Sequence, residues 1–152
     1  MVSLLIENRK SVFYWDARAR RWKTILPVLL ATLWISLSEF ARNEFLLKAY
    51  WTDHYANMGL DFPDAPLNGA MWGLWSLLFA IALFVLLKKF SLRDTTLLGW
   101  LVAFLMMWVV TGNLAVLPFR ILYLAVPLSL METFVAAWII QRLTGRPASP
   151  LP

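Results

Sequence analysis

The sequence predicts an all-α fold: a polytopic membrane protein with four transmembrane helices in a bundle, both termini cytoplasmic and one long outer loop. Three observations predict it. Hydrophobic residues make up 61% of the 152 residues and charged ones 15%, against about 45–50% and about 25% in soluble domains. A core formed by so short a chain cannot hide that excess. Apolar runs recur at close to the roughly 20 residues that a helix needs to cross about 30 Å of hydrocarbon, and Lys and Arg gather on alternate connections. A soluble globular enzyme and a disordered chain are both excluded.

Residues 1–23 read as a basic, aromatic interfacial arm. Val12, Phe13, Tyr14, Trp15 and Trp22 are interleaved with Arg9, Lys10, Arg18, Arg20, Arg21 and Lys23. Aromatic rings settle at headgroup depth while the cations meet anionic lipid headgroups. The competing reading is a docking arm for a partner protein. The basic segment is longer than the leading part of a cleaved signal, so the first span is expected to be retained.

The transmembrane domain is expected over 24–141, with spans at 24–46, 69–87, 95–111 and 121–141 and an outer loop at 47–67. The first span is apolar over 24–38, then carries Glu39, Arg42, Asn43 and Glu44 before Phe45, Leu46 and Leu47 resume. Its helix is expected to run on towards Tyr50 and Trp51, about 40 Å in all. The outer loop contains Tyr50, Trp51, Tyr55 and Phe62, expected to form an aromatic belt, and prolines that end helices. On the second span, Gly69, Gly73, Ser76 and Ala80 make a small-residue face suited to close packing. Asn68, Trp72, Trp75 and Phe79 lie opposite, and the two Trp read first as lipid-facing or interfacial, second as a pocket wall. Gly99 and Ala103 repeat the small-residue pattern on the third span, which ends near Gly112, Asn113 and Pro118. The fourth span is interrupted only by Glu132, and Pro127 predicts a bend there. Residues 142–152, rich in proline, read as a flexible tail.

Orientation follows from the basic residues. Eleven of the 14 Lys and Arg fall in the arm, the connection between spans two and three, and the tail. Only Arg42, Lys48 and Arg120 fall on the other side. Positive residues stay cytoplasmic, so both ends are expected in the cytosol. A bacterial inner membrane fits this bias. It also explains the net charge of +5 without nucleic acid.

With no cysteine in the chain, disulfides, thiolate metal sites and thiol nucleophiles are excluded. The one histidine, His54, stands beside Asp53 in the outer loop. A lone histidine among scattered acids has no ligand spacing, so it reads as an ordinary loop residue ahead of a weaker site candidate. No catalytic, cofactor-binding or metal residues are expected, and no motif for a nucleophile elbow or phosphate loop occurs.

The chemistry that the membrane must tolerate is a polar cluster. Thr32, Ser36, Glu39 and Asn43 recur at helical spacing and share a stripe, with Arg42 within reach of Glu39. Glu132 lies about 16 Å below the outer surface and Glu39 about 8 Å. A carboxylate at such depth must face the protein interior and be protonated or paired. Arg42, Asn43 and Asn113 are its expected partners. The candidate cluster is therefore Glu39, Arg42, Asn43, Asn113 and Glu132, with Asn68, Trp72 and His54 as weaker members.

Residues 39–141, with EFARNE at 39–44, WTDHY at 51–55, PLNGAMWG at 66–73 and GNLAVLP at 112–118, resemble small uncharacterised four-helix inner-membrane proteins of bacteria. That resemblance implies no activity. The small multidrug-resistance transporters also place a Glu in the first of four spans, but this chain departs from them in its basic arm, long outer loop and strong charge bias. Two function classes remain. One is an accessory, assembly or structural subunit that packs on other membrane subunits or on itself, favoured because recognisable chemistry is absent. The other is a small-solute or proton-coupled transporter, or a membrane enzyme, with an outward-facing polar pocket in a dimer.

Overall fold

The computed structural model describes the backbone of residues 2–145 and the side chains of residues 22–145. The side chains expected to anchor residues 1–21 at the interface, and the tail from Arg146, lie outside the described residues.

The backbone of the arm is helical and continuous with the first span. Helix α1 covers Val2–Ala41, about 60 Å at 1.5 Å per residue. Pro27 lies inside it and is buried. A π turn over Arg42–Leu46 follows, closed by the Leu47 N–H donating to the Arg42 carbonyl at 2.9 Å. Helix α2 then runs over Lys48–Asn57. The first span therefore does not continue as one unbroken α-helix to Tyr50 and Trp51, and half of the expected loop is helical. The break has a visible consequence. Trp51 donates its indole N–H to the Asn43 side chain at 3.1 Å, whereas residues eight apart in a straight α-helix are separated by about 12 Å along the axis.

Helix α3, Pro66–Leu86, opens on a proline, whose missing N–H costs nothing in a first turn. Helix α4, Leu92–Trp100, is opened by Ser91: its hydroxyl accepts from the Asp94 N–H at 3.1 Å and donates to the Asp94 carboxylate at 2.6 Å. These openings explain why the helices begin before the apolar runs do, since caps are made of polar residues. A second π turn, Leu101–Leu105, joins α4 to α5, Met106–Asn113. After a turn at 114–118 and a single 3₁₀ turn, Phe119–Ile121, helix α6 covers Leu122–Thr144. Gly145, with φ 64°, ends it in the left-handed conformation that glycine adopts without a Cβ clash.

Among the described residues, four helical stretches are long and apolar enough to cross a membrane: Trp22–Leu46, Pro66–Leu86, Leu92–Asn113 and Phe119–Thr144. Helix α1 packs on α3 and α6, and α4 packs on the same two helices. The inward face of α6 is Ala125, Ser129, Glu132, Thr133, Ala136, Ala137 and Ile140, small or hydroxylated residues that allow close approach around one carboxylate. Its counterpart is Ala31, Ile35 and Glu39 on α1 with Arg42 from the π turn. Large apolar side chains such as Leu29, Leu33, Leu78, Val102, Val109 and Phe134 point outward, as lipid-facing helices require.

The small-residue faces divide. At Gly99 a Cβ would come within 2.6 Å of the Leu83 side chain, so that side chain of α3 packs directly on the backbone of α4. Ser76 and Ala80 are also buried. At Gly69 and Gly73 a Cβ would meet nothing within 4 Å, so that half of the stripe packs on no neighbour. Trp75, expected at the lipid or interface, is turned inward instead. Its ring lies 5.5 Å from Phe104 and 5.2 Å from Phe79, and Phe104 continues the stack to Trp108.

Candidate functional site

Helix α1 and the π turn after it carry two polar stripes, side by side. Trp34, Ser38 and Arg42 recur every four residues and all three bond to Glu132 of α6. The Trp34 indole donates to the Glu132 backbone carbonyl at 3.1 Å, the Ser38 hydroxyl to Glu132 Oε2 at 2.8 Å, and Arg42 Nη1 to the same oxygen at 3.2 Å. The second stripe, Ser36, Glu39 and Asn43, lies on the side towards α3. Arg42 joins the two stripes, because its Nη2 donates to Glu39 Oε1. One guanidinium thus bridges two carboxylates from different helices through two separate nitrogens, a geometry that its rigid fork of donors suits.

Glu39 is further held by Asn43, whose amide donates to Glu39 Oε2 at 2.8 Å and to its backbone carbonyl at 3.0 Å. Phe104, from the second π turn, lies under the Arg42 guanidinium at 5.3 Å, a cation–π contact that strengthens away from water. Both π turns therefore meet at this cluster, and such bulges are frequent at functional sites. Burial is deep: Glu39 is 5% exposed, Arg42 6% and Glu132 0%. Among the described residues, the buried side-chain oxygens without a partner are Thr95 Oγ1 and Glu132 Oε1.

Glu39 and Asn43 also form part of the wall of a cavity of about 440 Å³ between α1, α3 and the segment at 62–66. Ser36, Asn68, Gly69, Trp72, Gly73 and Asp64 contribute to the rest of the wall. The unpacked half of the glycine stripe is this wall. Volumes of this size suit small organic ligands. Its charged lining residues are Glu39, Glu44 and Asp64, all acidic. Glu44 is bridged by Lys48 at 2.6 Å.

The structure brings Glu39, Arg42, Asn43 and Glu132 together and sets Asn68 and Trp72 on the cavity beside them. Asn113 does not join them. It ends α5, is exposed, and lines a separate, apolar hollow with Gly112, Leu117 and Phe119. Its position at a helix end near the outer face made it a plausible partner by depth, but depth carries no information about direction around the helix axis. His54 bonds the Ala115 carbonyl at 2.9 Å and so ties α2 to the turn before α6. Trp51 and Tyr55 stack on Phe62 at 6.5 and 5.4 Å, holding the outer segment over the cavity side. Ser38, Trp34, Trp51 and Phe104 were missed by the sequence reading. The spacing of 34, 38 and 42 is the signal that could have found the first two. Among the described residues, no group of His, Asp and Glu could hold a metal ion.

No family model matches the chain, and neither a curated protein nor a solved structure is significantly similar to it.

Proposed function

We propose that this chain is an integral inner-membrane protein, a four-helix bundle with both ends in the cytosol, that binds a small polar solute of cationic character in the cavity beside Glu39. The orientation is supported by the distribution of Lys and Arg. Anionic headgroups are the proposed contact of the basic arm. The observation that carries the solute reading is the cavity itself: about 440 Å³, bordered by a buried carboxylate, two asparagines, an exposed indole and an acidic outer segment. Of the acidic lining residues, Glu39 is paired with Arg42 and Glu44 with Lys48, and Asp64 has no ion pair among the described residues. An acidic group near apolar walls attracts cations more strongly than it would in bulk water, and Trp72 offers a π face. This moves the weight from the accessory-subunit reading, which rested on missing chemistry, to the pocket reading, which rests on a space and its lining. Four helices provide thin walls for a transport path, so transport would call for a second copy.

Gly73→Leu tests it. A Cβ at position 73 meets nothing within 4 Å and the residue lines the cavity, so folding should be preserved. Calorimetric titration of the purified protein with tetramethylammonium and short primary amines should show saturable binding by wild type. Gly73→Leu should bind about tenfold or more weakly, a loss of about 1.4 kcal/mol or more. Equal binding by both proteins, or none by wild type across the series, would return the accessory-subunit reading to first place.

A further inference from the structure

We infer that Glu39, Arg42 and Glu132 together form a proton-binding site, holding one exchangeable proton at Oε1 of Glu132. The first argument is charge balance. Arg42 is permanently charged, and it stands between two carboxyl groups that are almost fully buried. With both ionised, the cluster carries one uncompensated negative charge in a low-dielectric interior, which is unfavourable.

Among the described residues, no other charged group compensates it. Helix α3 contains no Asp, Glu, Lys, Arg or His. The third span carries Arg93 and Asp94 only in its opening turn, where Asp94 is bonded to Ser91. On α6 the other charged residue is Arg142, in the last turn over the Trp138 ring. On α1, Lys23 is four helical turns away from Glu39. In the π turn, Glu44 is bridged by Lys48.

The second argument is the count of hydrogen bonds. Both oxygens of Glu39 accept, one from Arg42 and one from Asn43. Both donors to the Glu132 side chain, Ser38 and Arg42, converge on Oε2, and Oε1 has none. An ionised oxygen left bare in the interior costs more than a neutral acid group. A proton at Oε1 makes the cluster neutral: one guanidinium, one carboxylate, one carboxylic acid. This inference rests on the cluster and not on the cavity, so it stands whether or not a solute binds.

The test is infrared spectroscopy of the full chain at neutral pH in an ester-free detergent. Wild type should show a protonated-carboxyl carbonyl band that shifts down in D₂O. Glu132→Gln should lose it. Glu39→Gln should lose it as well, although Glu132 is still present, because Arg42 then balances an ionised Glu132. Absence of the band in wild type, or its survival in Glu39→Gln, overturns the proposal. Reaction with dicyclohexylcarbodiimide, which adds to protonated carboxyls in apolar surroundings, tests the position on wild-type protein alone. The adduct should map to Glu132; an adduct on Glu39, or none, overturns the placement on Glu132.

Discussion

Arg42 joins the two buried carboxyl groups of the interior. Removing it leaves two buried carboxyl groups facing each other without their shared partner, and breaking a buried ion pair from one side typically costs about 3–5 kcal/mol. Arg42→Met should therefore lower the unfolding midpoint in detergent sharply, as read by tryptophan fluorescence. Arg42→Lys should recover only part of it, because the ammonium is more strongly hydrated and lacks the pre-organised fork of the guanidinium. A midpoint unchanged in Arg42→Met would mean that the cluster holds nothing together. At this scale the sequence was partly legible. Glu39, Arg42 and Asn43 are close in the chain, and the spacing alone places them on adjoining faces. The pairing with Glu132 was one of several that depth allowed. Direction decided it, through the repeat of Trp34, Ser38 and Arg42, and direction also excluded Asn113.

The elements tell a similar story with a different cause. Apolar length predicts the four long helices because hydrocarbon thickness sets it. It says nothing of the two π turns or of α2, whose bounds depend on hydrogen bonds such as that from Trp51 to Asn43. Small residues were legible as a class, yet Gly99 and Gly73 do opposite things. At Gly99, where α4 touches Leu83, Gly99→Val should overpack the contact and destabilise by about 1–3 kcal/mol, whereas Gly73→Leu should leave the unfolding midpoint close to wild type. Equal midpoints for the two variants would contradict the packing described.

The turn at 114–118 offers a gain instead. Ala115 has φ 59°, a conformation that costs a residue with a Cβ roughly 1–2 kcal/mol. Ala115→Gly should raise stability, by up to about 1 kcal/mol once the greater freedom of glycine in the unfolded chain is subtracted. The carbonyl that His54 bonds is kept. Thermal unfolding of this variant beside wild type is the check, and a lower midpoint would mean that the turn is not strained.

For the molecule as a whole, the proposed topology goes with the proposed site: four crossings with both ends in the cytosol would place the polar cavity beside Glu39 in the outer half of the membrane. The absence of cysteine makes this directly measurable, since each introduced thiol is the only one present. Single variants Asp61→Cys, Gly73→Cys and Lys89→Cys would be treated with a membrane-impermeant maleimide in sealed cells. The account predicts labelling at positions 61 and 73 from outside, and at 89 only after the cells are opened. Labelling of Lys89→Cys in sealed cells, or protection of Gly73→Cys until they are opened, would contradict it.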